Sequence, residues 1–90
     1  MPDKTIIVTG ASRGLGEAIV RQLMKQDCSV VMFARDADRL ELLANSLWRA
    51  VAIPGDVTNQ ADCERLIDET LTRFDKIDGL INCAGIIEPI

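Results

Sequence analysis

The sequence predicts an α/β chain in which a parallel sheet is wound with helices on both faces. Short apolar, β-branched runs alternate with segments of helical period in the order β-α-β-α-β-α-β. The strand runs are continuously apolar rather than alternating, as in strands covered on both faces. Each strand is separated from the next by a helix, and strands joined in that way lie parallel with right-handed crossovers. The expected fold is the first, four-stranded part of a doubly wound parallel sheet.

Thr5 to Val8 is the first strand and ends at Thr9-Gly10. Leu15, Ile19 and Leu23 then recur at i, i+4 and i+8, which predicts a helix over about Gly14 to Gln26. Ser29 to Phe33 is a Val-rich second strand. Leu40, Leu43, Ala44 and Leu47 mark one face of a second helix, with Asp36 or Asp38 as its N-cap. Ala50 to Ile53 is a third strand stopped by Pro54-Gly55. Thr58 is placed to cap a third helix whose inward stripe is Cys63, Leu66, Ile67, Leu71 and Phe74. Asp78-Gly79 leads into a fourth strand, Leu80 to Asn82.

Composition narrows the function. With 90 residues, 48 % hydrophobic and 27 % charged, the chain is neither disordered nor collagen-like nor a disulfide scaffold. Its net charge of −4, spread along the chain, argues against general affinity for nucleic acid or anionic membrane, so any anion must be held by a local site. No apolar run is long enough to span a bilayer and the start has no signal-peptide character, from which a cytoplasmic address is expected. Cys28, Cys63 and Cys83 form no CxxC pair and there is no His, so no metal site is expected. His is the commonest proton-transfer side chain, and Tyr is absent too, which leaves no catalytic residue to assign.

In doubly wound sheets ligands sit beyond the carboxyl ends of the strands, where the winding reverses. The loop after the first strand reads Thr9-Gly10-Ala11-Ser12-Arg13-Gly14-Leu15-Gly16. Gly10 permits the tight turn, Gly14 lets backbone N–H groups approach a diphosphate, and Gly16 allows close helix-to-sheet packing; the helix N-terminus adds roughly half a positive charge. The spacing is GxxxGxG and not the more general GxGxxG.

That spacing, followed by Asp56-Val57 after the third strand and Asn82-Cys83-Ala84-Gly85 after the fourth, resembles the N-terminal half of the short-chain dehydrogenase/reductase family over essentially all ninety residues. The resemblance implies a Rossmann-type fold in which Gly10, Ser12, Arg13, Gly14, Leu15 and Gly16 hold a cofactor diphosphate. It assigns Asp56, with Val57, to the adenine, and the Asn82, Ala84, Gly85 turn to the adenosine ribose and the support of the central sheet. Cys83 departs from the family, which often has a second Asn there.

The charge at the end of the second strand selects the cofactor. An acidic residue there holds the ribose 2′-OH of NAD, whereas Arg accommodates the 2′-phosphate of NADP. In Phe33-Ala34-Arg35-Asp36 the strand-terminal position is Ala34 and the next side chain is Arg35. Arg13 stands in the glycine loop, where a basic residue accompanies NADP preference in the resembling family. Two guanidinium-to-phosphate bonds at ~1.5–3 kcal/mol each favour NADP(H) over NAD(H) by roughly two to four orders of magnitude. Asp36 competes: it reaches the ribose if the strand ends two positions later, and otherwise caps the following helix.

In the family, the Ser that polarises the substrate carbonyl and the Tyr-x-x-x-Lys pair that moves the proton follow the point where these ninety residues stop. The expectation is therefore that residues 1–90 are the NADP(H)-binding N-terminal part of a single Rossmann-fold domain. The parent would be an NADP-dependent reductase or dehydrogenase acting on a small carbonyl or alcohol, homo-oligomeric when full length, and the ninety residues alone would be inactive. The alternative is a non-catalytic nucleotide-binding or interaction module, or an inactive truncated product. In that case the apolar edge Leu80 to Asn82 would favour self-association.

Overall fold

The computed structural model describes residues 3–83. The chain runs β1 (Thr5–Thr9), α1 (Gly14–Met24), β2 (Ser29–Ala34), α2 (Ala37–Asn45), β3 (Ala50–Pro54), α3 (Gln60–Phe74) and β4 (Gly79–Asn82). All pairings are parallel and the strand order is β3-β2-β1-β4, an incomplete Rossmann-type sheet. From β1 the chain winds outward through β2 to β3, then crosses back to β4 on the other side of β1. The reversal therefore lies at the end of β1, where the glycine loop begins.

The period-2 alternation of strand side chains divides the core in two. Ile6, Val8, Val30 and Met32 face α1 and α2, meeting Val20 and Leu23 of the first helix and Leu40, Leu43 and Ala44 of the second. Ile7, Val31, Phe33 and Ile53 point the other way and are covered by Leu66 of α3, with Phe74 packed alongside. The central strands β1 and β2 carry almost wholly buried side chains, which is why they read as unbroken apolar runs.

Two details of α3 correct the sequence reading. Its N-cap is Asn59, whose side chain accepts from the Asp62 N–H at 3.0 Å, and not Thr58. Its inward stripe is Leu66, Thr70 and Phe74, while Ile67 and Leu71 remain 39 % and 42 % exposed and Cys63 is half-buried. Thr70 can sit in that stripe because its hydroxyl donates to the Leu66 carbonyl at 2.7 Å, so burial leaves no polar atom unpaired. On β4, Leu80 pairs in register with Ile7 and is 59 % exposed. No helix among the described residues is long and apolar enough to cross a membrane.

Candidate functional site

The carboxyl ends of β1, β2 and β3 open onto one cleft of about 490 Å³. It is lined by Gly10, Ser12 and Arg13 from the first loop, Ala34, Arg35 and Asp36 from the second, and Gly55, Asp56, Val57 and Thr58 from the third. Six of the sequence-predicted positions thus meet in one place: Gly10, Ser12, Arg13, Arg35, Asp56 and Val57. Gly14, Leu15 and Gly16 form the first turn of α1 beside the cleft without lining it, and Leu15 is 57 % exposed.

The first loop owes its shape to two glycines with positive φ, Gly10 at 65° and Gly14 at 61°. Gly10 donates its N–H to the Phe33 carbonyl at 2.8 Å, which turns the chain off β1 toward β2. At Gly14 an added Cβ would meet nothing within 4 Å, so the start of α1 faces open space. Arg13 occupies the N-cap position in an extended conformation and makes no side-chain cap bond, so among the described residues the helix's first N–H groups have no N-cap side chain to receive them. That is the arrangement in which a helix N-terminus receives an anion.

Gly16 behaves differently from the sequence expectation. A Cβ there would overlap the Gly10 carbonyl oxygen, and would lie 2.7 Å from the carbonyl carbon and 3.0 Å from Ala11 Cα. The close approach is between α1 and its own loop rather than between helix and sheet. Gly55, read from the sequence only as a strand stop, has a similar reason: a Cβ would stand 2.5 Å from Cε1 of Phe33.

The rim of the cleft is charged. Arg35 follows directly on the end of β2 and is exposed, with no ion-pair partner among the described residues. Arg13 Nη2 lies 3.1 Å from Asp36 Oδ2, while Asp36 Oδ1 accepts from the Arg39 N–H at 3.1 Å. Asp36 therefore caps α2, one of the two roles open to it, and also holds Arg13. Arg39 is a residue the sequence reading missed: its Nε donates to the Ser12 carbonyl at 2.5 Å and its Nη2 to Glu17 Oε1 at 3.1 Å, tying α2 to the glycine loop and to α1.

Asp56 Oδ1 accepts both the Thr58 N–H at 2.8 Å and the Thr58 hydroxyl at 2.7 Å. These bonds, the backbone one first, hold its carboxyl below the usual carboxylate range, and the Arg35 charge adds a smaller pull in the same direction. Its own N–H donates to Asp62 Oδ2 at 3.0 Å, which fixes the turn into α3. At the end of β4, Asn82 Oδ1 accepts from the Thr9 hydroxyl at 2.7 Å, locking that strand to β1 immediately before the glycine loop. Ala84 and Gly85 lie outside the described residues.

Chemically, the cleft is lined by two guanidinium groups, Arg13 and Arg35, and two carboxylates, Asp36 and Asp56, and the first turn of α1 lies beside it. The family model described as short chain dehydrogenase matches residues 4–90. An 11-beta-hydroxysteroid dehydrogenase-like 3 from Arabidopsis thaliana is 39 % identical over 97 % of this chain and 30 % of its own length. An L-fucose dehydrogenase from Mus musculus is 42 % identical over 96 % of this chain and 32 % of its own. Among solved structures, a 3-ketoacyl-(acyl-carrier-protein) reductase from Brucella melitensis, complexed with NADH, superposes with a TM-score of 0.85 at 30 % identity over 88 % of this chain and 33 % of that one. The chain spans about a third of the length of these relatives.

Proposed function

The chain belongs to the short chain dehydrogenase family, and from its cleft we propose that residues 1–90 form the NADP(H)-binding part of a single Rossmann-fold domain in an oxidoreductase of carbonyl or alcohol substrates. The observation that carries the reading is a cleft at the strand ends that Arg13 and Arg35 both line, beside the first turn of α1, whose N-cap side chain makes no cap bond. The open space at Gly14 and the orphan N–H groups of α1 suit a diphosphate. Arg35, at the end of β2 with no ion-pair partner among the described residues, and Arg13 supply the charge that a ribose 2′-phosphate needs. Asp56, held ionised by Thr58, offers the adenine a fixed acceptor. Asn82 and Thr9 stiffen the strand ends beneath the cofactor.

When bound, the nicotinamide dinucleotide supplies the hydride. These residues would grip and orient it and favour the phosphorylated form over the unphosphorylated one. They supply no proton donor of the His or Tyr kind, both of which the sequence lacks, so the ninety residues alone bind without turnover. The relatives' names and the NADH complex of the Brucella reductase support a nicotinamide cofactor; the preference for the phosphorylated form rests on Arg13 and Arg35. Calorimetry on the full chain tests it. Replacing Arg35 with Ala should weaken NADPH binding by roughly tenfold or more and spare NADH. Equal loss of both would remove the 2′-phosphate assignment.

A further inference from the structure

We propose that Asp62 and Arg65 of α3 are positioning residues for the cofactor's purine: as a pair they brace the turn that presents the Asp56 carboxylate to the exocyclic amine of adenine. The inference rests on the reading of Asp56 as the adenine acceptor. Neither Asp62 nor Arg65 lines the cleft, so each acts through the turn and not on the ligand. Between β3 and the cleft the chain passes through Pro54-Gly55-Asp56, and α3 reaches both sides of Gly55. On one side Arg65 Nη2 donates to the Pro54 carbonyl at 2.6 Å. On the other, the Asp56 N–H donates to Asp62 Oδ2 at 3.0 Å.

The two halves of the brace hold each other. Asp62 Oδ1 stands 3.6 Å from Arg65 Nη2, and Arg65 Nη1 donates to Glu69 Oε2 at 3.1 Å, so the guanidinium is gripped by a carboxylate one turn to either side. The helix that carries them is anchored by its Asn59 cap and by the buried Leu66 next to Arg65. The turn needs such support because Gly55 brings no side chain of its own; a Cβ there would stand 3.1 Å from Arg65 Nη2. Thr58 occupies Asp56 Oδ1, and Oδ2 accepts no hydrogen bond from a described residue, which leaves it for a donor on the ligand. Where Oδ2 points depends on the Asp56 backbone, and that backbone is what Asp62 holds. Hydrogen bonds weaken steeply with misalignment, so loosening the brace costs the contact to the amine before it costs the rest of the dinucleotide.

NADPH and its hypoxanthine analogue, in which an oxygen replaces the 6-amino group, are titrated into the full chain by calorimetry. The parent should prefer the adenine form by roughly tenfold or more. Arg65→Met and Asp62→Ala should each cut that preference roughly three- to tenfold. Asp62→Asn should keep most of it, because its amide oxygen still accepts the Asp56 N–H. The ion pairs of Arg65 are exposed and add little to stability, so Arg65→Met carries the test if Asp62→Ala folds poorly. In an Asp56→Ala background the preference should be gone already and Arg65→Met should change it no further. An undiminished preference in Arg65→Met, or an equal weakening of both ligands, would overturn the positioning role, as would a fall that persists without Asp56. A parent chain that binds both ligands equally would instead overturn the adenine reading of Asp56, and one that binds neither would overturn the cofactor reading itself.

Discussion

Gly16→Ala is the substitution whose consequence the loop geometry defines most sharply. The new methyl would overlap the Gly10 carbonyl oxygen and press on Gly10 C at 2.7 Å and Ala11 Cα at 3.0 Å. All of these are backbone atoms, so no side chain can rotate away. Either α1 withdraws from its loop or the loop opens, and overpacking of this kind is worth about 3 kcal/mol. For ninety residues, total stability is on the order of 5–13 kcal/mol, so the loss is a large fraction. In a domain of that size it lowers Tm by roughly 10–20 °C. Gly14→Ala is the control: its Cβ meets nothing within 4 Å, and the 61° φ alone costs about 1–2 kcal/mol. Melting by circular dichroism, paired with NADPH titration, should therefore show stability falling far more at Gly16 than at Gly14. Gly14→Ala should lose affinity mainly by intruding where the anion sits. If Gly16→Ala melted within a degree or two of the parent, the packing of α1 on its own loop could not be as tight as these distances require.

Arg39→Met should weaken NADPH and NADH binding by a similar factor, because Arg39 steadies the loop through Ser12 and Glu17 rather than touching either ligand's distinguishing group; a changed ratio in paired titrations would count against that strut. Asn59→Ala should cost about 1 kcal/mol in chemical denaturation, the ordinary worth of an N-cap, whereas Thr58→Ala should leave the α3 terminus intact and let the Asp56 pKa rise toward its usual value by NMR titration. Asp78 accepts the Thr5 N–H at 2.7 Å and pairs with Lys76, and these interactions hold its carboxyl below the ordinary value of 3.8. A carboxyl depressed in the folded state stabilises above its unfolded pKa and loses that contribution as pH falls through the folded one. Unfolding free energies measured between about pH 5 and pH 2 should accordingly fall less steeply for Asp78→Asn than for the parent.

The order and spacing of elements were legible because each strand is an unbroken apolar run ended by a turn signal, Thr9-Gly10 after β1 and Pro54-Gly55 after β3. The cleft was legible for a topological reason, since strand ends at a winding reversal must converge. Local capping was less legible: Asn59 and Thr58 are both good N-cap types, and only the structure shows that Thr58 is engaged by Asp56. The facing stripe of α3 was misjudged because Thr70 counts as polar in a periodicity argument, although its hydroxyl is satisfied within its own helix. The rim network was out of reach altogether. Arg13 and Asp36 are 23 residues apart and Arg39 and Ser12 are 27 apart. Such pairs meet only after β1 and β2 have been set side by side, and no spacing rule marks them.

On the proposed reading, a chain of net charge −4 that binds a polyanion separates grip from selectivity by using different kinds of donor for each. The N-terminus of α1 acts through backbone dipoles fixed in place by Gly10 and Gly14, with no mobile side chain and no net charge. Arg13 and Arg35 act through exposed, full charges, one of them already shared with a carboxylate. Salt screens the second kind far more than a buried contact, so raising ionic strength should erode the discrimination between phosphorylated and unphosphorylated dinucleotides sooner than it erodes binding of the unphosphorylated one. The proposed recognition is then a property of three loop ends, and the remainder of the chain contributes by holding those ends in register.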